Sequence, residues 1–206
     1  MTWTPPPVWS VPRIWSGRAF VICGGESVNA AREWIPYLQG HVIAVKEAAL
    51  LRPDADVLFL SGENCWENCK DVIKGFRGGE IVARGRSDAR FPARTRRIGR
   101  TEDKGRLSDD PTKVCGRDGG TSAINLAYLF GADEIVLIGY DMRGGRWLNG
   151  ERKHTQPKPP KEHFARHLEC LPTIAADLRE RGVSVINTSK SSAVTVFPYE
   201  PLETFL

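Results

Sequence analysis

The sequence lacks any apolar run close to the roughly 18 residues that a membrane-spanning helix needs. Its start, MTWTPPPVWSVPRIW, has neither the basic first part nor the apolar centre of a secretory signal peptide. Five cysteines among 206 residues form an odd set, which disfavours a framework of disulfides. These absences predict a cytoplasmic protein that makes no contact with a membrane.

Two motifs of nucleotide-binding proteins are also missing. The glycine turn CGGES, residues 23–27, has neither the GxGxxG spacing of dinucleotide-binding folds nor the GxxxxGK[ST] pattern of the P-loop. A dehydrogenase and a Walker-type ATPase are therefore disfavoured.

Clusters with metal-ligand spacing are sparse. Cys65 and Cys69 in CWENC are four residues apart, as are His163 and His167, so each pair shares one helix face. No second Cys/His pair lies close to the two cysteines in the sequence to complete a tetrahedral site. The alternatives are free thiols for the cysteines and a solvated helix surface for the histidines. His41, just before an apolar run, is expected to be structural.

The basic charge is concentrated in one segment. The chain has a net charge of +4, but nine basic and only three acidic residues lie between Arg84 and Arg106, a local charge of +6. The wider segment 84–117 also lacks apolar periodicity, so it is predicted to be a long loop. Such a segment either contacts the phosphates of a nucleotide or nucleic acid, or is a solvated, mobile loop.

Short apolar runs alternate with helical patterns along the chain. Because most of the runs are nearly continuous, they are typical of strands buried on both faces. They predict a Rossmann-like α/β fold with a largely parallel sheet and helices on both faces. One domain is expected over residues 17–200, between a Pro/Trp-rich arm of residues 1–16 and a tail of residues 201–206. The runs are AFVIC, HVIAV, DVLFLSG, EIVARG, EIVLIG and SVINTS.

Three helices are predicted with identifiable boundaries. Residues 28–38, VNAAREWIPYL, place apolar side chains at helical spacing after Ser27 as N-cap. A second helix runs from about Thr121 to Phe130 and stops at Gly131. A third, HFARHLECLPTIAADLRERG, is kinked or divided at Pro172.

Polar groups follow several of the predicted strands. The strand ends are CGGES, SGEN, GYDMRG and NTSKSS. Ligands of open α/β sheets bind beyond the carboxyl ends of the strands, so these groups are expected to converge on one crevice. The turn at Gly24 and Gly25 is then either a sharp turn or a place where phosphate approaches bare backbone N–H groups.

The order of these pieces resembles a known superfamily. CGGESV, GGTSAINLAYLFGADEIVLIGYDM, the stretch 153–163 and VINTSKSSAVTVFP follow one another as in archaeal 6-hydroxymethylpterin diphosphokinases. That superfamily is similar in fold to bacterial sialyltransferases that use a CMP-sugar, and the chain most resembles its small bacteriophage-encoded members. The resemblance covers about residues 18–200.

The resemblance implies a domain that binds a nucleotide donor and transfers a sugar or diphosphoryl group to an acceptor hydroxyl. It implies that the glycine turn receives the phosphates and that a second glycine pair opens the helix that approaches the nucleotide. The implied nucleotide-binding residues are Gly24, Gly25, Ser27, Gly119, Gly120, Thr121 and Ser122.

The chain departs from the family at the ends of three strands. Glu26 stands where the family turn has proline, and Lys46 stands where the second strand ends in asparagine. Lys46 is therefore a candidate to compensate the anionic Glu26. Glu63 and Asn64 follow the third strand, where relatives often have aspartate, and we assign both to nucleotide binding.

Transfer to a hydroxyl needs a base with a pKa near neutrality, and histidine is the natural candidate. His154 lies in the loop where the resemblance implies a histidine base, although the loop also fits a flexible hairpin. Arg143 and Arg146 are candidates to bind the leaving phosphate. Asp141 is the candidate ligand if Mg²⁺ takes part, or else a helix cap.

The sequence thus predicts a nucleotide-dependent, glycosyltransferase-like transferase with a nucleotide sugar or ATP as donor. The acceptor is a small molecule or, as the bacteriophage relatives suggest, a nucleic acid in a host cytoplasm. One alternative is an ATP- and Mg²⁺-dependent diphosphokinase of the pterin type. Another is a nucleotide- or nucleic-acid-binding protein without catalysis.

Overall fold

The strands of a single sheet organise the chain. The computed structural model describes residues 7–62, 65–84, 90–143 and 161–206. The strands are β1 (Arg18–Ile22), β2 (His41–Val45), β3 (Val57–Ser61), β4 (Glu80–Arg84), β5 (Thr95–Arg100), β6 (Lys113–Val114), β7 (Glu134–Ile138) and β8 (Ser184–Asn187).

The strand order is β6-β5-β4-β3-β2-β1-β7-β8, and every described pair of strands is parallel. From β1 the chain adds strands on one side of the sheet as far as β6. It then returns to place β7 on the other side of β1. The strand order therefore reverses between β1 and β7, which is where open α/β sheets bind their ligands.

Helices cover both faces of the sheet. They are α1 (Val28–Ala31), α2 (Cys65–Gly75), α3 (Gly119–Phe130), α4 (Lys161–Leu168) and α5 (Leu171–Glu180). Short 3₁₀ helices cover Ile35–Tyr37, Lys46–Leu50 and Leu202–Phe205.

Alternate residues of each strand face opposite layers, as the pleat requires. In β1, Val21 packs in the core that contains α3 and α5, whereas Phe20 and Ile22 pack in the core that contains α1 and α2. The predicted α/β class with a parallel sheet and helices on both faces is confirmed.

Two predicted helix boundaries are confirmed. Gly131 ends α3 with a left-handed φ of 112°, which glycine adopts without steric cost. The predicted division of the last long helix is also present, because α5 is a separate helix that begins with Pro172 in its first turn.

The helix predicted over residues 28–38 is wrong in its length. α1 ends at Ala31, and a 3₁₀ helix follows at Ile35–Tyr37. Pro36 lacks a backbone N–H and disfavours the α conformation at Ile35, so the α-helix does not continue.

The prediction of a loop over segment 84–117 is also wrong in part, because β5 and β6 lie within it. β5 buries Thr95 and Ile98 and pairs Arg96 with Glu80 of β4. Cross-strand ion pairing lets this basic sequence form a strand without an apolar run.

The flanking segments pack on the domain. In the arm, Trp15 stacks on Phe130 and on His41, at centroid distances of 4.1 and 4.5 Å. In the tail, Leu202 and Phe205 are buried in the core that contains α2. No helix in the described ranges is both long and apolar enough to cross a membrane.

Candidate nucleotide-binding site

A cavity of about 430 Å³ lies at the carboxyl edge of the sheet. The segments after β1, β2, β3 and β7 line it, together with Arg84 at the end of β4, the start of α3 and one side of α4. It therefore spans the point between β1 and β7 where the strand order reverses. The polar and charged side chains that line it are Lys46, Glu47, Ser61, Arg84, Arg117, Asp118, Asp141, Arg143 and His167.

The glycine turn is held against the segment that follows β7. Asp141 is only 3% exposed, and its Oδ2 accepts the backbone N–H of Ser27 at 2.8 Å. The Ser27 hydroxyl donates to Oδ1 of the same carboxylate. Ser27 lies at the predicted N-cap position of α1, but its side chain makes no capping hydrogen bond to that helix.

Close packing explains why residue 25 is glycine. The Gly25 N–H donates to the Gly139 carbonyl at 2.8 Å. A β-carbon at Gly25 would lie 2.5 Å from that oxygen and 2.6 Å from Asp141 Oδ2. Three of the turn's polar groups are thus used to join it to the β7 segment. Gly24, which is exposed, lines the cavity.

Asp118 caps the amino end of α3. Its Oδ1 accepts the backbone N–H of Thr121 at 3.0 Å, and Oδ2 accepts the Thr121 hydroxyl. The buried Tyr140 hydroxyl lies 2.7 Å from the Thr121 hydroxyl. Burial and the nearby Asp118 carboxylate raise the pKa of Tyr140, so its phenol stays protonated. These contacts fix the start of α3 beside β7.

Arg84, at the end of β4, holds the loop before α3. Its Nη1 donates to the carbonyls of Gly116 and Asp118, at 3.2 and 3.3 Å, and to the Ser122 hydroxyl. Arg100 donates to the same Gly116 carbonyl at 3.1 Å. Burial, with repulsion from Arg100, lowers the pKa of Arg84 to about 10, so Arg84 is still cationic near neutrality.

Two residues that line the cavity have an unusual backbone conformation. Lys46, directly after β2, has a φ of 53°, and Met142, near the end of β7, has a φ of 48°. Non-glycine residues rarely adopt positive φ, and such strain is common in functional sites. Lys46 and Met142 follow the two strands that flank β1.

His167 and Phe164, on one face of α4, also line the cavity. The solvated surface expected for His167 is therefore wrong, since the side chain is half-buried at the site. The side chain of His163, its partner in the predicted pair, lies outside the described part of the chain.

The structure brings together much of the predicted site. Gly24, Gly25, Lys46, Asp141, Arg143, Gly119 and Gly120 all line the cavity. Ser27, Thr121 and Ser122 lie just behind it and serve the hydrogen bonds described above. His154, Arg146, Glu63 and Asn64 lie outside the described residues.

Sequence reasoning missed six of the polar and charged residues that line the cavity, namely Ser61, Arg84, Glu47, Arg117, Asp118 and His167. The first two are the last residues of β3 and β4. The rule that ligands bind beyond strand ends could have selected them. The sequence instead favours Glu63 and Asn64 after β3 and predicts a loop where Arg84 lies.

Most described arginines of the basic segment make internal contacts. Arg94 donates to the Phe76 carbonyl at 2.8 Å, and Arg106 pairs with the buried Asp177 at 2.9 Å. Arg90 pairs with Glu67 on α2. Much of the predicted phosphate-binding charge thus stabilises the fold, and Arg84 is the member of the segment that lines the cavity.

The candidate metal ligands are engaged elsewhere. Both Asp141 oxygens accept hydrogen bonds from Ser27, so this carboxylate does not fit the Mg²⁺ role that the sequence suggested. Cys65 and Cys69 are buried free thiols on α2. Across the described ranges, no group of three or more His, Cys, Asp or Glu side chains is placed to hold a metal ion.

No protein-family model matches the chain, and no curated protein matches it significantly. Solved structures share the fold. The sialyltransferase CST-II, in complex with a trisaccharide acceptor and CMP, aligns with a TM-score of 0.55 and 10% identity over 88% of this chain and 85% of that chain.

A structure of CstII from Campylobacter jejuni with cytidine-5'-monophosphate aligns with a TM-score of 0.51 and 12% identity, over 88% of this chain and 84% of that one. At these identities the likeness shows a shared Rossmann-like fold. The resemblance to pterin diphosphokinases and bacteriophage proteins stays a prediction from the sequence.

Proposed function

We propose that the protein is a nucleotide-dependent, glycosyltransferase-like transferase that moves a group from a nucleotide donor to an acceptor hydroxyl. The observation that carries this proposal is the cavity at the carboxyl edge of the sheet. Its walls combine an exposed glycine, the glycine-rich start of a helix and several cations.

The charges of the cavity favour a phosphate ligand. Four cationic side chains face three acidic ones, and two of those acids, Asp118 and Asp141, already accept hydrogen bonds from the protein. Arg143 is exposed at the rim, where a guanidinium fork binds phosphate oxygens well. A phosphate in this cavity would meet more positive than negative charge.

The shared fold supports the same proposal, because the solved CstII sialyltransferase structures hold CMP and, in one case, an acceptor trisaccharide. For this chain, the donor is proposed to be a nucleotide sugar. The acceptor hydroxyl belongs to a small molecule or, if the bacteriophage resemblance holds, to a nucleic acid.

A thermal-shift panel tests the proposal. The ligands are CMP-, UDP-, GDP- and ADP-sugars, ATP with Mg²⁺, and duplex DNA. A ligand that binds only the folded state raises Tm, and we expect a nucleotide sugar to do so. Arg143→Gln should weaken that shift, whereas Arg96→Gln, whose arginine pairs with Glu80 away from the cavity, should not.

Other outcomes of the panel would replace the proposal. A response to ATP with Mg²⁺ alone would favour the diphosphokinase. A response to DNA alone would favour a nucleic-acid-binding protein without transfer chemistry.

The acceptor hydroxyl needs a general base, for which the chain offers His154 and His167. His167 lines the cavity, while His154 remains the candidate implied by the resemblance. Loss of a general base typically lowers turnover by about 10²–10⁴-fold. We expect one of the two variants, His154→Ala or His167→Ala, to lose turnover to this extent, with its donor affinity changed only a few-fold.

His41→Asn is the control, because His41 stacks on Trp15 and does not line the cavity. If both His154→Ala and His167→Ala keep full turnover in a transfer assay, the reaction does not use histidine as its base.

A further inference from the structure

Ser61, the last residue of β3, has a buried hydroxyl that nothing in the described chain uses. The residue is 3% exposed and lines the cavity. Its Oγ makes no hydrogen bond to any described residue. It lies against the start of α3, because a β-carbon at Gly119 would be only 2.7 Å from it. A hydroxyl that the protein leaves unpaired in the wall of a cavity is available to bond to a ligand there.

Arg84 presents unused donors to the same part of the cavity. All of its hydrogen bonds to described residues come from Nη1, which leaves Nε and Nη2 without a described partner. No carboxylate among the described residues forms an ion pair with it. Arg100 adds a second guanidinium at the Gly116 carbonyl. This pair of cations would be stabilised by a bound anion.

The first turn of α3 adds two backbone donors. The N–H groups of Gly119 and Gly120 have no hydrogen-bond partner within the described ranges, since Asp118 caps the N–H of Thr121. Both glycines line the cavity. α3 has 12 residues, so its amino end carries the partial positive charge of a helix dipole.

We infer that Ser61, Arg84 and the N–H groups of Gly119 and Gly120 form a subsite for an oxyanion, either a phosphate or a carboxylate. The subsite requires glycine at residue 119, because a β-carbon there would displace the Ser61 hydroxyl. The donors are one hydroxyl, a guanidinium and two backbone amides, which suit the several lone pairs of a tetrahedral or planar oxyanion.

The Ser61 and Arg84 side chains of the subsite lie away from the glycine turn, whereas Gly120 packs near Cys23, which directly precedes that turn. Neighbouring strands lie about 4.8 Å apart, so the ends of β3 and β4 are about 10–14 Å from the end of β1. A substrate that contacts Gly24 as well as Ser61 and Arg84 would therefore place its oxyanion well away from the group that binds at Gly24. The subsite follows from the contacts alone, whereas its assignment to a donor or acceptor rests on the proposed function.

Inorganic phosphate is the probe for the subsite. In ¹⁵N-labelled protein, titration with phosphate at constant ionic strength should shift the Arg84 Nε–H and Gly119 N–H signals saturably. Arg84→Gln identifies the arginine signal, and Arg96, paired with Glu80 outside the cavity, should not respond. Unchanged Arg84 and Gly119 signals would overturn the inference.

Ser61→Ala tests the hydroxyl without endangering the fold, since that hydroxyl has no described partner to lose. It should weaken phosphate binding at least threefold and leave Tm unchanged or higher. Ser189→Ala is the matched control, because Ser189 is 6% exposed with an unpartnered hydroxyl and does not line the cavity. Equal loss of phosphate affinity in both variants would overturn the inference.

CMP distinguishes the two sources of the oxyanion. If CMP displaces phosphate from Arg84, the subsite holds the donor's own phosphate. If both bind together, it holds an oxyanion of the acceptor or transferred group, and glucose 6-phosphate and glucuronate then separate phosphate from carboxylate. If no nucleotide binds but phosphate still shifts Arg84, the subsite stands and the proposed function fails.

Discussion

Lys46 combines a strained backbone with a charge at the site. Its φ of 53° places it in a region that costs a non-glycine residue about 1–2 kcal/mol. The residue follows β2 and lines the cavity beside the glycine turn. Strain of this kind persists where the surrounding structure fixes it, and here it occurs at a cationic residue of the cavity wall.

Replacing Lys46 by glycine should separate stability from binding. We expect Lys46→Gly to raise the free energy of unfolding by about 0.5–1 kcal/mol, because strain relief exceeds the added freedom of the unfolded chain. Donor affinity should fall about tenfold, the equivalent of roughly 1.4 kcal/mol. Urea denaturation and calorimetric titration measure the two effects.

Lys46→Gln is the control for this pair of effects, because it removes the charge and keeps a side chain at positive φ. It should lose affinity as Lys46→Gly does, with no gain in stability. A Lys46→Gly variant that binds the donor as tightly as the wild type would show that Lys46 is not a ligand.

The two turns that follow β1 and β7 are joined by Asp141 and Ser27. The carboxylate receives both the N–H and the hydroxyl of Ser27, and the Asp141 carbonyl accepts the N–H of Ala193 at 2.8 Å. The Ser192 hydroxyl donates to the Tyr140 carbonyl at 2.8 Å. Asp141 therefore connects the glycine turn, the β7 turn and the segment after β8.

A double-mutant cycle tests this connection. Asp141→Asn should lower the free energy of unfolding by about 1.5–3 kcal/mol, because hydrogen bonds to a charged acceptor are lost or weakened. Combined with Ser27→Ala, it should show a coupling energy of about 1 kcal/mol or more. Chemical denaturation of the four proteins gives the cycle. If Asp141→Asn abolished activity with no change in stability, Asp141 would act in chemistry rather than in joining the turns.

The helices and strands that could be predicted from the sequence are those whose conformation is determined by their own residues. β1, β2, β3 and β7 are continuous apolar runs, and Gly131 ends α3 by a conformation that glycine favours. β5 could not be predicted in this way. It forms through backbone pairing with β4, the strand before it, and Arg96 adds an exposed ion pair with Glu80, neither of which its own residues show.

The candidate site could be predicted where its residues directly follow predicted strands. Gly24, Lys46 and Asp141 follow predicted strands and do line the cavity. Arg84 was hidden by the basic residues around it, since charge alone does not tell which arginine lies at a strand end. His167 depended on how α4 packs, which its sequence spacing does not show.

At the scale of the whole molecule, buried thiols make the fold sensitive to alkali. All five cysteines are buried and free. Burial raises the pKa of the Cys115 thiol to about 12 and also raises the pKa of Cys23, Cys65 and Cys170. In the unfolded chain these thiols ionise near pH 9, so unfolding releases protons above that pH.

The free energy of unfolding should therefore keep its full contribution from the buried thiols below about pH 9, and it should fall as the pH rises from 9 toward 12. For Cys115 alone the loss at pH 10 is about 1.4 kcal/mol, because a one-unit gap separates the pH from the unfolded pKa. Urea denaturation at pH 8 and pH 10 measures it. Cys115→Ala should be less stable at both values yet lose less between them; an equal loss would contradict the assignment.

The all-parallel sheet also determines when the cavity forms during folding. No described strand pair is a hairpin, and β1 meets β7 although Arg18 and Glu134 are 116 residues apart. Contacts so distant in sequence form slowly, because a long loop must close first. The cavity straddles this pair, so we expect it to form only after this slow closure. A bound nucleotide should therefore slow unfolding and leave the refolding rate unchanged.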